Sequence, residues 1–356
     1  MARALKLASG ARYRTSPNPT VGAVLTRDGE VVGEGHHLGP GSAHAEVVAL
    51  QRAGELARGA TLWVTLEPCC HRGRTGPCTE RLLAAGVAEV RIATLDPNPR
   101  VNGHGAELLQ AAGVEVRVGE QEQRAKELIR EFACWVTQGR PLVTLKFAMS
   151  LDGKVATSGG QSQWITSEPA RERAHLLRSQ HDAVLVGSGT VLADDPRLTA
   201  RDGSRELRQP LRAVVDTRLR TPPGARLLQA SGGPVLVATV AGADPARSGA
   251  LTRAGAEVVE LPAGSGGVDI AELLRQLARR EVTSLLVEGG PTLLGSFLEQ
   301  RLGDRIAAFL APIVLGGVAA PGPFAGAGVA SLGEGWRATG LRAEPVGRDL
   351  LLTAEV

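Results

Sequence analysis

The feature that most constrains this chain is a set of four side chains carried by three separate segments. His44 and Glu46 lie two residues apart, and Cys69 and Cys78 follow, each directly after a proline. One imidazole and two thiolates supply three ligands to a tetrahedral zinc ion and leave the fourth position open for water. An open position is typical of a catalytic zinc site, so the three segments are expected to converge. Glu46 is then a carboxylate close enough to exchange protons with that water.

Each predicted ligand lies where a helix or a strand begins or ends. Ser42 can cap a helix that begins near His44, and a predicted strand at residues 61–66 runs into Cys69. Cys78 opens another predicted helix. A helix N-terminus lowers the pKa of a nearby cysteine, which favours the thiolate that a metal binds.

An alternative for the same residues is a structural zinc site in which Cys70 is the fourth ligand. Adjacent cysteines such as Cys69 and Cys70 seldom face one metal ion, and Glu46 would then have no role. His36, His37 and His71 are further candidate ligands that can equally well line a pocket or lie on the surface. We therefore expect the open three-ligand site.

Composition limits the location and the partners of the protein. Three of its four cysteines lie between positions 69 and 78, which is typical of metal binding in a reducing compartment and favours the cytoplasm. The N-terminus has no signal-peptide pattern, and the longest apolar stretch, residues 307–320, is interrupted and too short to cross a membrane. The net charge of +3 argues against nucleic-acid and membrane partners.

The length of 356 residues predicts two domains. Residues 22–35 carry a hairpin signal, Asp28-Gly29, between two β-rich segments. An apolar face predicts one helix over residues 121–138, and Gly139 and Pro141 would end it. We therefore predict an α/β domain over residues 1–139 and a second one over residues 140–356.

The second domain also alternates between strand and helix patterns, but it lacks the GxGxxG fingerprint of a standard dinucleotide fold. Two glycine-rich turns, at residues 185–190 and 286–292, would let backbone N–H groups approach a phosphate. Each turn alone also fits ordinary packing. The predicted strands lie at residues 142–147, 183–186, 211–215, 235–238, 257–261, 284–287 and 305–310, and the predicted helices at 168–179, 270–280 and 292–300.

The zinc-ligand region resembles a known family. The string TLEPCCHRGRTGPC at residues 65–78, together with His44 to Glu46 and PNPTVG at residues 17–22, is similar to the deaminase half of the bifunctional riboflavin-biosynthesis deaminase–reductases. Most cytidine deaminases have two residues between the cysteines, whereas this chain has eight. Cys70 is a departure, because the family usually has serine there.

This resemblance implies further residues in the first site. Asn18, His37 and His71 would contact a pyrimidine, and Arg74 would lie near its phosphate. From its position alone, Asn18 before Pro19 is also consistent with an ordinary turn.

Four segments of the second domain, residues 146–153, 162–166, 189–196 and 287–292, are similar to the reductase half of the same family. The resemblance implies NADPH as cofactor. The implied cofactor contacts are Ala148, Trp164, Thr190, Asp194, Thr217, Gly289, Gly290, Pro291, Thr292 and Leu293. The candidate substrate contacts are Lys146, Ser162, Arg178, Leu198, Arg201 and Glu288.

Physical chemistry supports some of these assignments independently. Arg178 and Arg201 are forked donors suited to a sugar phosphate, although solvated surface arginines are the alternative. Lys146 and Glu288 are the best candidates for polar groups beside the reacting ribose.

The resemblance implies a cytidine-deaminase-like three-layer α/β/α domain followed by a dihydrofolate-reductase-like α/β domain. It implies zinc-dependent deamination of a phosphorylated pyrimidine, then NADPH-dependent reduction of its ribosyl side chain, in a homo-oligomer. One alternative is a nucleoside or tRNA-type zinc deaminase with an accessory reductase-like domain. Another is a zinc-stabilised binding module without catalysis.

Overall fold

The computed structural model describes residues 1–72 and 76–356, and the chain divides into two compact units, Met1–Arg140 and Pro141–Val356. Each unit has its own main sheet and its own hydrophobic core, and the mixed α/β class predicted from the sequence is confirmed. Among the described residues, none of the helices has the length and apolar character needed to span a bilayer.

The N-terminal unit is built on one sheet. Its strands are β1 (Gly22–Arg27), β2 (Glu30–His36), β3 (Thr61–Val64), β4 (Glu89–Ile92) and β5 (Glu115–Val118). Its helices are α1 (Ala2–Ala11), α2 (Ala45–Ala53), α3 (Cys78–Ala85), α4 (His104–Ala111), α5 (Glu122–Leu128) and α6 (Arg130–Gln138), with a 3₁₀ turn at Gly54–Ala57. The strand order is β2-β1-β3-β4-β5; β1 is antiparallel to β2 and β3, whereas β3, β4 and β5 are parallel.

The predicted hairpin between β1 and β2 is confirmed. Arg27 pairs with Glu30, so Asp28 and Gly29 form a two-residue loop. Their φ angles of 52° and 84° are those of a turn that matches the twist of the two strands.

Glycines let helices lie directly on both faces of this sheet. A Cβ added to Gly22 would lie 2.8 Å from the backbone nitrogen of Ala8 in α1, and one added to Gly35 would lie 2.6 Å from the carbonyl oxygen of Ala45 in α2. Gly35 pairs with Ala23, the neighbour of Gly22, so the two glycines face opposite sides of the sheet. The unit therefore has the three-layer α/β/α arrangement.

Two local expectations in this unit are wrong. Ser42 does not cap α2, because its hydroxyl donates to the carbonyl of Gly39 at 2.6 Å, and His44 is the N-cap residue. The single helix expected over residues 121–138 is two helices, α5 and α6. They meet at Ile129, a buried β-branched residue whose φ of −111° leaves the helical region.

The C-terminal unit contains a larger sheet and two small hairpins. Its strands are β6 (Leu142–Ser150), β7 (Ala183–Gly187), β8 (Arg201–Asp202), β9 (Arg205–Glu206), β10 (Leu211–Val215), β11 (Val235–Val240), β12 (Ala256–Leu261), β13 (Ala263–Gly264), β14 (Gly267–Val268), β15 (Ser284–Val287), β16 (Arg305–Ala311), β17 (Thr339–Val346) and β18 (Asp349–Glu355). Its helices are α7 (Glu168–Ser179), α8 (Ser188–Asp194), α9 (Arg226–Gln229), α10 (Pro245–Arg253), α11 (Ile270–Arg279) and α12 (Pro291–Glu299).

The main sheet has the order β12-β11-β10-β7-β15-β6-β16-β18-β17. The strands from β12 to β16 are parallel, and β18 runs antiparallel to both β16 and β17. Leu185 packs in one core cluster, whereas Val184 and Val186 pack in another, so apolar residues cover both faces of the central strands. The carboxyl ends of the parallel strands share one edge, where open α/β sheets bind ligands.

In this unit, the sequence interpretation missed α9, α10, the two small hairpins and the last two strands. The start of α10 carries a clear signal, because the Asp244 side chain accepts hydrogen bonds from the backbone N–H groups of Ala246 and Arg247, and Pro245 is the first helical residue. β17 has exposed side chains along almost its whole length, so it lacks the alternating pattern that marks a half-buried strand.

Enlarging Gly35 tests the close packing of α2 on the sheet. We expect Gly35→Ala to lower the free energy of unfolding by roughly 1–3 kcal/mol, because the new methyl group must push α2 away. Gly10→Ala is the control, since no atom lies within 4 Å of a Cβ at that helical position. Calorimetric unfolding of both variants provides the measurement, and a wild-type transition for Gly35→Ala would contradict this packing.

Candidate active sites

The first candidate site lies where α2, the loop after β3 and α3 converge. His44 is the N-cap residue of α2, and Cys78 is the first residue of α3. Cys69 belongs to the loop that follows β3, and its carbonyl accepts a hydrogen bond from the backbone N–H of Thr79 at 3.2 Å. Three segments that are distant in sequence thus meet as the motif spacing predicted.

The three side chains have the geometry of a metal site. The Nδ1 atom of His44 lies 3.2 Å from the Sγ of Cys78 and 3.6 Å from the Sγ of Cys69. Ligand atoms around a tetrahedral zinc ion lie about 3.5–3.8 Å apart, as zinc–nitrogen and zinc–sulfur bonds of about 2.0–2.3 Å require. Among the described residues, these three form a metal-capable group that does not include Cys70. The donor set therefore fits zinc with an open position.

The two cysteines are prepared to bind a cation. A hydrogen bond from the Cys78 thiol, reinforced by one from His44, lowers the pKa of Cys69 to about 4. The interaction with Cys69, together with burial, raises the pKa of Cys78. The backbone N–H of Cys78 also donates to the Sγ of Cys69 at 3.3 Å. Cys69 thus favours the thiolate form, and metal binding would release the proton of Cys78.

Glu46 lies in the first turn of α2, two residues after His44, and is 3% exposed. Burial raises the pKa of its carboxyl group, although the nearby His44 acts in the opposite direction. A buried carboxyl group beside an open metal position can accept and return protons.

The structure joins Asn18 to His37. The Nδ1–H of His37 donates to the carbonyl of Ala43 at 3.1 Å, so its Nε2 can accept from the Asn18 amide at 2.9 Å. Burial lowers the pKa of His37, which keeps this ring neutral. The ring also packs edge-on against His44, with the centroids 5.4 Å apart. Both predicted substrate contacts therefore belong to the surroundings of the metal-capable group.

Of the other two predicted contacts of this site, the structure describes only His71. His71 is half-buried, and its Nδ1 atom is buried without a hydrogen-bond partner among the described residues. Arg74 lies outside the described residues.

Sequence reasoning missed Glu67, which precedes Pro68 and Cys69. Its buried carboxylate accepts four backbone N–H groups, from Gly105, Gly103, Asp96 and Ala106, at 2.8, 2.9, 3.0 and 3.1 Å. Two of these donors lie in the first turn of α4, where a negative charge is favoured. Glu67 therefore anchors the Cys69 loop to α4, and no spacing rule in the sequence signals such a long-range contact.

The second candidate site lies in the C-terminal unit and consists of two cavities. The first, of about 540 Å³, is lined by the predicted substrate contacts Lys146, Ser162, Arg178, Leu198, Arg201 and Glu288, and by Trp164. The second, of about 420 Å³, is lined by the predicted cofactor contacts Ala148, Thr190, Asp194, Gly289, Gly290, Pro291, Thr292 and Leu293. Thr217 lines neither cavity and lies shortly after β10, where its carbonyl accepts from the Thr239 hydroxyl at 3.3 Å.

The glycine-rich turn after β15 fits a cofactor phosphate. Gly290 is the N-cap of α12, and a Cβ there would lie 3.7 Å from the hydroxyl of Thr190 across the cavity. The missing side chains leave the backbone N–H groups at this helix N-terminus accessible to an anion. Gly289 is also needed for packing, because a Cβ there would lie 2.7 Å from the side chain of Leu293.

The two cavities share a buried charge network. Glu288 accepts from the Nε and a terminal nitrogen of Arg178 at 2.6 and 2.9 Å, and from the Nζ of Lys146 at 3.3 Å. Burial raises the pKa of Glu288, but the positive charges of Arg178 and Lys146 outweigh it, so the net shift is well downward. Glu288 is thus ionised, and the ammonium group of Lys146 faces both cavities.

The larger cavity also contains residues that the sequence interpretation did not select. His175 and Arg171 come from the same helix as Arg178. Arg197 comes from the loop after α8, and Arg226 is the first residue of α9. The sequence does carry a signal for His175. It lies three residues before Arg178 in α7, and residues three or four apart share a helix face.

Comparisons with known proteins agree with both sites. Residues 1–94 match the cytidine and deoxycytidylate deaminase zinc-binding region, and residues 141–352 match the RibD C-terminal domain. The riboflavin biosynthesis protein RibD of Aquifex aeolicus (strain VF5) is 44% identical, covering 99% of this chain and 96% of that protein.

Two solved structures are similar over almost the whole chain. Acinetobacter baumannii RibD, form 1, has a TM-score of 0.89 at 36% identity and covers 99% of this chain and 97% of its own. A Thermotoga maritima protein described as a diaminohydroxyphosphoribosylaminopyrimidine deaminase/5-amino-6-(5-phosphoribosylamino)uracil reductase has a TM-score of 0.84 at 35% identity. It covers 100% of this chain and 97% of its own.

The folds and sites together define a two-domain enzyme that pairs a zinc-dependent deaminase with an NADPH-dependent reductase. Both halves match relatives from one pathway and in the same order along the chain. The chain belongs to the RibD family of bifunctional riboflavin-biosynthesis enzymes.

Replacing Glu67 tests the anchor behind the metal site. In Glu67→Gln an amide N–H₂ group faces backbone donors, so at least one buried N–H loses its acceptor. We expect unfolding to become easier by roughly 3 kcal/mol and zinc to be lost faster to a chelator. Glu127→Gln, at an exposed position of α5, is the charge-matched control. Equal zinc-release rates in the two variants would show that Glu67 does not hold the loop.

Proposed function

We propose that the N-terminal domain, residues 1–139, hydrolytically deaminates 2,5-diamino-6-ribosylamino-4(3H)-pyrimidinone 5′-phosphate. Residues 140–356 then reduce the ribosyl side chain of 5-amino-6-(5-phosphoribosylamino)uracil to ribityl with NADPH. The observation that carries this proposal is the buried Glu46 beside the His44, Cys69 and Cys78 group. The description of the Thermotoga maritima relative supports these two substrates.

In the deaminase reaction, His44, Cys69 and Cys78 hold the metal and Glu46 moves protons. A zinc ion held by these three residues would lower the pKa of a water molecule, which could then attack the ring carbon that bears the amino group. Glu46 takes one proton from the attacking water and passes it to a ring nitrogen. It then takes the second proton, from the hydroxyl group of the addition intermediate, and passes it to the amino group, which leaves as ammonia while the ring carbon becomes a carbonyl. Its burial against Cys78 keeps the carboxyl group in one place and away from bulk solvent.

Asn18, His37, His71 and Arg74 bind the substrate of the first reaction. Neutral His37 fixes the orientation of the Asn18 amide, because its Nε2 accepts from the amide nitrogen. The amide oxygen is then the group that meets a donor on the heterocycle. The buried Nδ1 of His71 without a partner is consistent with a contact that a ligand completes.

In the reductase, the cavity that contains Gly289 and Gly290 holds the cofactor, and the larger cavity holds the sugar phosphate. NADPH supplies a hydride for C1 of the ribose in its ring-opened imine form. Lys146 and Glu288 line both cavities and so flank the place where donor and acceptor meet. The bidentate hydrogen bonds from Arg178 to Glu288 hold the carboxylate in position beside Lys146.

The remaining cofactor contacts are Ala148, Trp164, Thr190, Asp194, Thr217 and the residues from Pro291 to Leu293. Ser162, Leu198 and Arg201 contact the reductase substrate. We further propose that the enzyme acts as a homo-oligomer in the cytoplasm, where a reducing environment keeps the metal-binding thiols free.

Ammonia release from three substrates tests the deaminase assignment. We expect the wild type to prefer the phosphorylated diaminopyrimidine over cytidine and tRNA. We expect Glu46→Gln to lose roughly 10²- to 10⁴-fold in rate, because the proton shuttle is removed. Zinc content and NADPH-dependent reduction of the deaminated substrate should be unchanged, and Glu55→Gln, at an exposed position, is the control.

Two outcomes would contradict this assignment. Preference for cytidine or tRNA would support the nucleoside or tRNA-type deaminase. An unchanged rate in Glu46→Gln would support a zinc-stabilised module whose carboxylate has no catalytic role.

A further inference from the structure

A third cavity adjoins the substrate cavity of the C-terminal unit. It has a volume of about 460 Å³, and its lining includes Arg197, Thr199, Arg201 and Arg226. The same four residues also line the larger cavity that contains Lys146 and Glu288. Three arginines thus form the wall that the two cavities share. The cofactor cavity, in contrast, has no arginine in its lining.

These arginines carry charge that the protein does not neutralise. Among the described residues, none of the three guanidinium groups forms an ion pair within 4.0 Å of a carboxylate. Acidic residues that line the same cavities accept hydrogen bonds from other groups. Asp194 accepts from the Gln163 amide at 3.0 Å, Asp195 from the backbone N–H of Arg226 at 2.7 Å, and Glu206 from the Ser231 hydroxyl at 3.4 Å. Like charges along one wall repel one another, and an anion between them would relieve that repulsion.

The segment that carries Arg201 is held firmly before any ligand binds. The side-chain amide of Gln209 accepts from the N–H of Ala200 at 3.0 Å and donates to its carbonyl at 2.6 Å, as a neighbouring strand would. The carbonyl of Thr199 accepts from the Nδ1 of His175 at 2.8 Å and from Arg178 at 3.1 Å. Such pre-organisation reduces the entropy that is lost when an anion binds.

We propose that Arg197 and Arg226 complete, together with Arg201, a subsite for the dianionic phosphate monoester of the reductase substrate. This inference rests on the proposed function, which gives the substrate a 5′-phosphate. The forked donors of arginine suit phosphate oxygens, and three guanidinium groups can satisfy both negative charges. The phosphate would lie at the shared wall while the ribose extends into the cavity that contains Lys146 and Glu288.

Steady-state reduction kinetics with a phosphorylated and a dephosphorylated substrate test the subsite. Arg226→Gln and Arg197→Gln should each raise KM for the phosphorylated substrate roughly tenfold or more, because each removes charge-assisted hydrogen bonds to phosphate. KM for the dephosphorylated substrate and KM for NADPH should not change. Inorganic phosphate should inhibit the wild type competitively, and each variant should need roughly tenfold more of it.

Arg205→Gln is the matched control. Arg205 is an exposed arginine in the β8–β9 hairpin, which also carries Arg201, but it lines neither the third cavity nor the larger cavity. It should keep wild-type KM values for all substrates, which separates contact with phosphate from a general loss of positive charge. Arg226→Lys, which keeps the charge but not the fork, should fall between the wild type and Arg226→Gln.

The outcomes separate this inference from the function on which it rests. Unchanged KM values in both glutamine variants, or equal increases for the two forms of the substrate, would overturn the subsite while the reductase activity stands. A wild type that does not oxidise NADPH with the phosphorylated substrate would overturn the proposed function and the subsite together. A rise in the KM for NADPH would assign the arginines to the cofactor and overturn the subsite.

Discussion

The contact of His44 with Cys69 and Cys78 is the constraint on which the N-terminal unit depends. Two helix starts and one loop must meet within hydrogen-bonding distance before any metal binds. Gly35 helps to position His44, because it allows α2, whose N-cap is His44, to pack directly on the sheet. Glu67 helps to position Cys69, because its carboxylate accepts hydrogen bonds from four backbone N–H groups and so fixes the loop. Precise placement of the ligands thus follows from packing and hydrogen bonds far from the metal position.

The C-terminal unit depends on a different constraint: it must keep ionised side chains buried beside the proposed substrate cavity. Glu288 is stable there as a carboxylate only because Arg178 and Lys146 surround it. The cavity where this network lies joins the one expected to hold the nicotinamide cofactor. Removing either cation would leave the buried carboxylate with only one positive partner, so the charge balance of both cavities depends on the same three side chains.

The sequence revealed the chemistry of the first site more completely than its architecture. Ligand types and spacing were sufficient for His44, Cys69 and Cys78, since metal coordination restricts residue type strongly. The sequence did not indicate the role of Glu67, because a carboxylate that accepts hydrogen bonds from distant backbone N–H groups has no recognisable sequence motif. Local propensity likewise did not indicate the break at Ile129, which depends on tertiary burial.

In the second unit, family resemblance indicated residues of both ligand cavities, whereas periodicity alone indicated only strands and helices. Arg226 lies about 80 positions from Lys146 in sequence, so its presence in the same cavity follows from the sheet order and not from any motif. Exposed arginines have no sequence signature that separates a phosphate contact from a solvated side chain, and only the cavity lining distinguishes them.

The most direct test of the central claim follows both reactions at once in purified, zinc-loaded enzyme that starts from the diaminopyrimidine substrate. Ammonia and the absorbance of NADPH at ~340 nm are recorded together. One NADPH should be oxidised for each ammonia released, after a lag, and ammonia should be released at the same initial rate without NADPH. Oxidation of NADPH before or without ammonia release would contradict two consecutive reactions at two separate sites of one chain.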